Sequence, residues 1–104
     1  MTDTYFRGYP EYTREVTITE TAGQDISTDT VQFGLGTYND PPAVWADPSK
    51  LVIDRPSDST VTVKMLIDDD VPAGAFWPWW CLTDNPEIVP QLVPVRIIVV
   101  DPAA

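Results

Sequence analysis

The chain has 104 residues, the size of one domain. Sixteen acidic side chains against six basic ones leave a net charge of -10, and phosphate recognition needs a basic patch, so nucleic acid and anionic membranes are excluded as partners. Histidine is absent and Cys81 is the one cysteine, which excludes an internal disulfide, a thiolate–imidazole zinc site and the commonest general base.

Residues 1–12 read as an extended amino-terminal arm and residues 13–104 as the domain proper. Residues 1–8 lack the apolar run of a signal peptide, and no stretch has the length of a membrane span. The expectation is a protein made and kept in a cytosol, or assembled there into something larger. Tyr5, Phe6 and Tyr9 surround Arg7 and Gly8, with Pro10 as punctuation. Such an arm either folds back on its domain or docks on a neighbour.

Residues 12–20 follow as a strand with Val16 and Ile18 on one face, then a turn at Ala22-Gly23-Gln24-Asp25. Residues 30–37 alternate Val31, Phe33 and Leu35 with Gln32, Gly34 and Gly36. Glycine on the outward positions predicts a bulge or a close backbone approach. Residues 37–49 form a proline-rich loop holding Trp45, expected to plug one end of the domain. A short strand at 50–54, a turn at 55–59 and the clean alternation of Val61, Val63, Met65 and Ile67 come next. Asp68-Asp69-Asp70 interrupts before the most apolar stretch.

In that stretch, a strand over 76–82 puts Phe76, Pro78, Trp80 and Leu82 on one face and Trp77, Trp79 and Cys81 on the other. Both faces are apolar, and a small domain has one core. The second face therefore needs a cover, either a loop of its own chain or a neighbouring protein. Pro78 cannot donate to a ladder and predicts an edge, bulge or break; Cys81 is expected as a buried, inert thiol. A turn at Asp84-Asn85-Pro86, a strand over 93–100 with Val95, Ile97 and Val99 on one side, and a tail from Asp101 complete the chain. No long window shows the helical period. About six or seven short strands with regular turn signals predict an all-β sandwich.

Catalytic chemistry is poorly supplied. Without histidine neither a Ser/His/Asp nor a Cys/His arrangement can be built, and among sixteen acidic residues chance carboxylate pairs are expected anyway. Asp68 to Asp70 has the hard oxygen ligands that calcium takes but lacks the EF-hand spacing, so a solvated turn is the expectation. No catalytic residue, metal or cofactor is expected. Burying one tryptophan contributes roughly 2–3 kcal/mol, so a bare Trp77 or Trp79 would favour association.

Four segments carry a resemblance: Asp25-Ile26-Ser27-Thr28-Asp29-Thr30-Val31-Gln32-Phe33, Thr60-Val61-Thr62-Val63-Lys64-Met65-Leu66-Ile67, Ala73-Gly74-Ala75-Phe76-Trp77-Pro78-Trp79-Trp80, and Thr83-Asp84-Asn85-Pro86-Glu87. In this order they are similar to small immunoglobulin-like virion proteins of tailed phages, especially actinobacterial ones, and to the amino-terminal domain of phage upper-baseplate proteins. The chain departs from that pattern at Pro78, where an aliphatic residue is expected, which questions the continuity of the strand. The resemblance implies a single immunoglobulin-like β-sandwich with a structural role in a virion, present in many copies. The expected position is capsid-associated, as a decoration or minor capsid protein, touching the major capsid protein; a tail, baseplate or head–tail junction component is the alternative. A carbohydrate-binding module, which uses exposed tryptophans to stack sugar rings, is the alternative of another class. The residues expected to carry partner contacts are Tyr5, Phe6, Tyr9, Trp77 and Trp79.

Overall fold

The computed structural model describes residues 1–20, 23, 25–82 and 90–101. The turns expected at 22–25 and 84–86, the Thr83 to Glu87 segment of the resemblance and most of the tail lie wholly or partly outside these. The described residues form nine strands: β1 (Thr2–Phe6), β2 (Glu11–Tyr12), β3 (Val16–Thr19), β4 (Val31–Gly36), β5 (Leu51–Ser57), β6 (Thr60–Ile67), β7 (Gly74–Leu82), β8 (Gln91–Leu92) and β9 (Arg96–Val100). A 3-10 turn, Pro48–Lys50, precedes β5, and Asp47 caps it by accepting from the Ser49 amide at 2.9 Å. No α-helix occurs among the described residues, and no helix is long and apolar enough to cross a membrane.

The described residues form two sheets, an all-β arrangement compatible with a β-sandwich. One runs β1-β9-β7-β4 with β8 beside β7, and the other runs β2-β6-β3 with β5 on β6. The alternation read from the sequence holds on both. Val31 and Phe33 of β4, Val61, Val63, Met65 and Ile67 of β6, and Ile97 and Val99 of β9 all turn into one shared core. Phe33, Val61 and Val63 are wholly shut off from solvent.

The expected arm is part of a sheet. Residues Thr2 to Phe6 pair in parallel with Arg96 to Val100, and Tyr5 turns inward to join the core. Its strand has that parity because Thr4 and Phe6 point the other way.

The single strand expected over 12–20 is two. Tyr12 pairs with Leu66 and Val16 with Val63, so three residues of the first strand face two of β6. One extra residue is a bulge. Thr13, buried at this point, repairs the ladder with both of its polar groups. Its amide donates to the Met65 carbonyl at 2.8 Å, and its hydroxyl accepts from the Met65 amide at 3.0 Å. The turn expected at 55–59 is shorter, because β5 continues to Ser57 through a register shift after Asp54.

Pro78 does not break β7, which runs unbroken from Gly74 to Leu82. Its carbonyl accepts from the Val93 amide at 2.9 Å. A residue's amide and carbonyl leave a strand on the same side, so the missing N–H faces the same edge. That edge is where the partner strand is interrupted: Leu92 of β8 pairs with Trp79, Ile97 of β9 pairs with Phe76, and residues 93–95 lie between. The discontinuity is in the neighbour, and the proline fits it.

Candidate functional site

The second face of β7 is covered by the chain itself. Gly34 and Gly36 of β4 stand opposite Trp79 and Trp77 in the register, and their missing side chains leave room for the loop 37–46. A Cβ on Gly34 would lie 2.9 Å from Pro42 Cγ and 3.4 Å from the Trp45 ring; one on Gly36 would lie 2.5 Å from the Asp40 carbonyl oxygen. Here the glycines mark a close backbone approach, as their outward positions suggest. Trp45 therefore lies over the outer face of β4, where the sequence suggested a plug at one end.

Two contacts tie this loop to the tryptophans. Trp79 Nε1 donates to the Thr37 carbonyl at 2.8 Å. The Tyr38 ring meets Trp77 edge to face, with centroids 5.0 Å apart and planes at 73°. The Ala46 amide donates to the Phe33 carbonyl at 2.8 Å, so the loop also closes the free edge of β4. Trp77 and Trp79 are half-buried under this cover. Cys81, on the same face, is buried, and its thiol donates to the Leu82 carbonyl at 3.5 Å.

The five residues expected to make contacts thus divide. Tyr5 is 5% exposed and belongs to the core, a correction that follows from its parity in β1; burial also pushes its phenol pKa up. Trp77 and Trp79 serve the loop. Phe6 and Tyr9 are open to solvent, at the two corners of a turn closed by the Tyr9 amide on the Phe6 carbonyl at 3.2 Å.

Tyr12, Tyr38 and Val44 are exposed too, Val44 at 84%. The sequence reading passed over them, since each is a single apolar residue in a polar stretch. The registers place them toward the end where β1, β4, β6 and β9 finish and β7 begins, with Tyr12 on the outer face of one sheet beside Lys64 and Tyr38 on the outer face of the other against Trp77. Arg7 fastens that end. Its guanidinium donates to Asp101 Oδ1 at 2.8 Å and to the Asp69 carbonyl at 2.9 Å, joining the turn after β1 to the ends of β9 and β6. Tyr12 stands opposite Leu66, near the end of β6, and Tyr38 follows the last residue of β4. Val44 borders a cleft of about 250 Å³ with Leu35, Ala46, Met65, Val71 and Phe76.

Asp68 to Asp70 lies at the same end and is bound by the chain's own cation. Lys50 Nζ contacts Asp68 Oδ2 and lies 3.2 Å from Asp70 Oδ2, while the Asp70 amide donates to Asp68 Oδ1 at 3.0 Å. Among the described residues no group of three or more acidic or cysteine side chains is placed to hold a metal ion. The Lys50 ammonium holds the Asp68 carboxyl below its usual range, and in turn Asp68, then Asp70, raise the Lys50 pKa.

A depressed carboxyl pKa gives stability that is present above the unfolded value, about 3.9, and lost as pH falls through the folded one. Asp68→Asn is therefore expected to lower the melting temperature at pH 6–7, with the gap from wild type closing below about pH 4. A gap that stays constant across acid titration would remove the ion pair as its cause.

Compared with family models, curated proteins and solved structures, the chain finds no significant match in any of the three.

Proposed function

We propose that the protein is a non-enzymatic structural component of a tailed-phage virion, capsid-associated as a decoration or minor capsid protein, and held by its neighbours through one end. The observation that carries this reading is the exposure of Phe6, Tyr9, Tyr12, Tyr38 and Val44 around one end of the two sheets. Aromatic residues of this kind dominate the energetics of protein interfaces, and exposed apolar residues around one end favour association there. Scattered over the whole surface, the same residues would mean nothing. The resemblance to small virion proteins supplies the setting, and the net charge of -10 suits an outer face away from packaged DNA.

An immunoglobulin-like topology belongs to the same reading. The chain alternates between sheets, with β3 in one, β4 in the other, β5 and β6 back in the first and β7 to β9 in the second. That alternation supports a Greek-key order of the kind such sandwiches have. The protein's partners in this reading are the major capsid protein or connector and tail proteins, and the contact residues move from Tyr5, Trp77 and Trp79 to the aromatic end.

Hydroxyl-radical footprinting of the isolated protein and of its source particle tests the proposal. Phe6, Tyr9, Tyr12 and Tyr38 are expected to be oxidised several-fold more slowly in the particle, with Trp77 and Trp79 changing little. Equal rates at the four residues in both states would sink it.

A further inference from the structure

The aromatic end contains a hole as well as knobs. Beside the cleft that Val44 borders lies a second of about 220 Å³, and the two share Ala46, Met65, Asp70 and Val71. Small-molecule sites usually enclose about 300–1,000 Å³, so each lobe suits one side chain better than a whole ligand. The walls are apolar, from Leu35, Met65, Val71 and Phe76, and the rim is charged. Asp47, Asp68 and Asp70 stand around the second lobe with one cation, Lys50, and that ammonium is already engaged by Asp68 and Asp70. The Asp70 side chain is 81% exposed, so it can accept another donor.

We propose that this cleft receives an apolar side chain from a basic segment of a neighbouring protein, whose lysine or arginine meets Asp70; the proposal rests on the end-docking reading above. Charge selects the occupant. A second copy of this chain would bring the same acidic end, and like charges brought face to face oppose docking. A basic segment meets an oppositely charged rim, which both steers its approach and sets its register. An apolar side chain from it supplies the buried contact.

The probe is an acetylated Arg-Leu-Gly-Leu-Arg amide, with Glu-Leu-Gly-Leu-Glu as its counterpart, titrated into the full chain and followed by amide NMR shifts. The basic peptide is expected to produce saturable shifts at Val44, Ala46, Met65, Val71 and Phe76. The acidic peptide is expected to bind at least tenfold more weakly. Val44→Ser, at an exposed position, is expected to weaken binding several-fold without lowering the melting temperature, and Asp70→Asn, which also gives up its exposed contact with Lys50, to weaken binding several-fold with only a small drop in melting temperature. Equal binding of the two peptides, shifts elsewhere, no saturation, or a concentration-dependent dimer that buries the cleft would each overturn the proposal. If footprinting protects the aromatic end while the peptide fails, the docking reading stands and the basic occupant falls. If the peptide binds while the particle gives no protection, the cleft assignment stands and the virion reading falls.

Discussion

Truncating Phe33 to alanine is expected to remove about 3–5 kcal/mol of folding free energy, the usual cost of deleting a buried aromatic side chain. Phe33 is 0% exposed and is among the largest fully buried side chains of the described residues. It sits in the middle of β4, opposite Trp80 of β7, with core residues of both sheets around it. Its backbone has a second duty, since its carbonyl anchors Ala46, but alanine keeps that bond. The loss is therefore one of packing alone. Domains of this size have total stabilities of about 5–15 kcal/mol, so the variant would lose between about a fifth of that margin and all of it. Urea denaturation measures it; a loss under about 1.5 kcal/mol with an unchanged slope would show that the two sheets close over the gap, contrary to the packing described.

Gly36→Ala is expected to cost about 1–3 kcal/mol, the usual range for overpacking, though it adds only one methyl group. The new Cβ would lie 2.5 Å from the Asp40 carbonyl oxygen, 2.8 Å from the Pro42 nitrogen and 2.9 Å from the Pro41 carbonyl carbon. All three are backbone atoms of a stiff Asp-Pro-Pro run, so no rotamer change relieves the clash and the loop must lift. Lifting it strips Tyr38 from Trp77 and the Thr37 carbonyl from Trp79. The variant should thus show red-shifted, more quenchable tryptophan emission along with lower stability. Gly34→Ala is the control, because its nearest contact is the Pro42 ring at 2.9 Å and not main chain; a smaller effect is expected there. If Gly36→Ala left stability and emission unchanged, the loop would not be the cover of the second face.

Much of the fold was legible because strand period and burial coincide. Val61 to Ile67, Val31 to Leu35 and the two faces of β7 could be assigned from alternation alone, and the outward glycines pointed to a bulge or a close backbone approach, of which the second is found. What was hidden depended on pairing partners far away in the chain. Nothing local in Thr2 to Phe6 says that it will find β9, so Tyr5 read as a free aromatic and proved to be core. Pro78 looked like a fault because its neighbour's interruption at 93–95 is invisible from its own segment. The aromatic end was hidden for the same reason. Tyr12, Tyr38 and Val44 are unremarkable one by one, and their shared end depends on the pairing of β2 with β6 and of β4 with β7.

The parallel pairing of β1 with β9 sets an order of events during synthesis. Arg7 and Asp101, which clamp this pair, are 94 residues apart. A ribosome delivers the amino-terminal segment first, so β1 emerges with no strand to accept its hydrogen bonds and waits until β9 has been made. Contacts this distant in sequence slow the search for the native state. Until then Tyr5, Phe6 and Tyr9 travel together as one unshielded aromatic stretch. The pair joins the first and last of the described strands, and it forms only once β9 has been made.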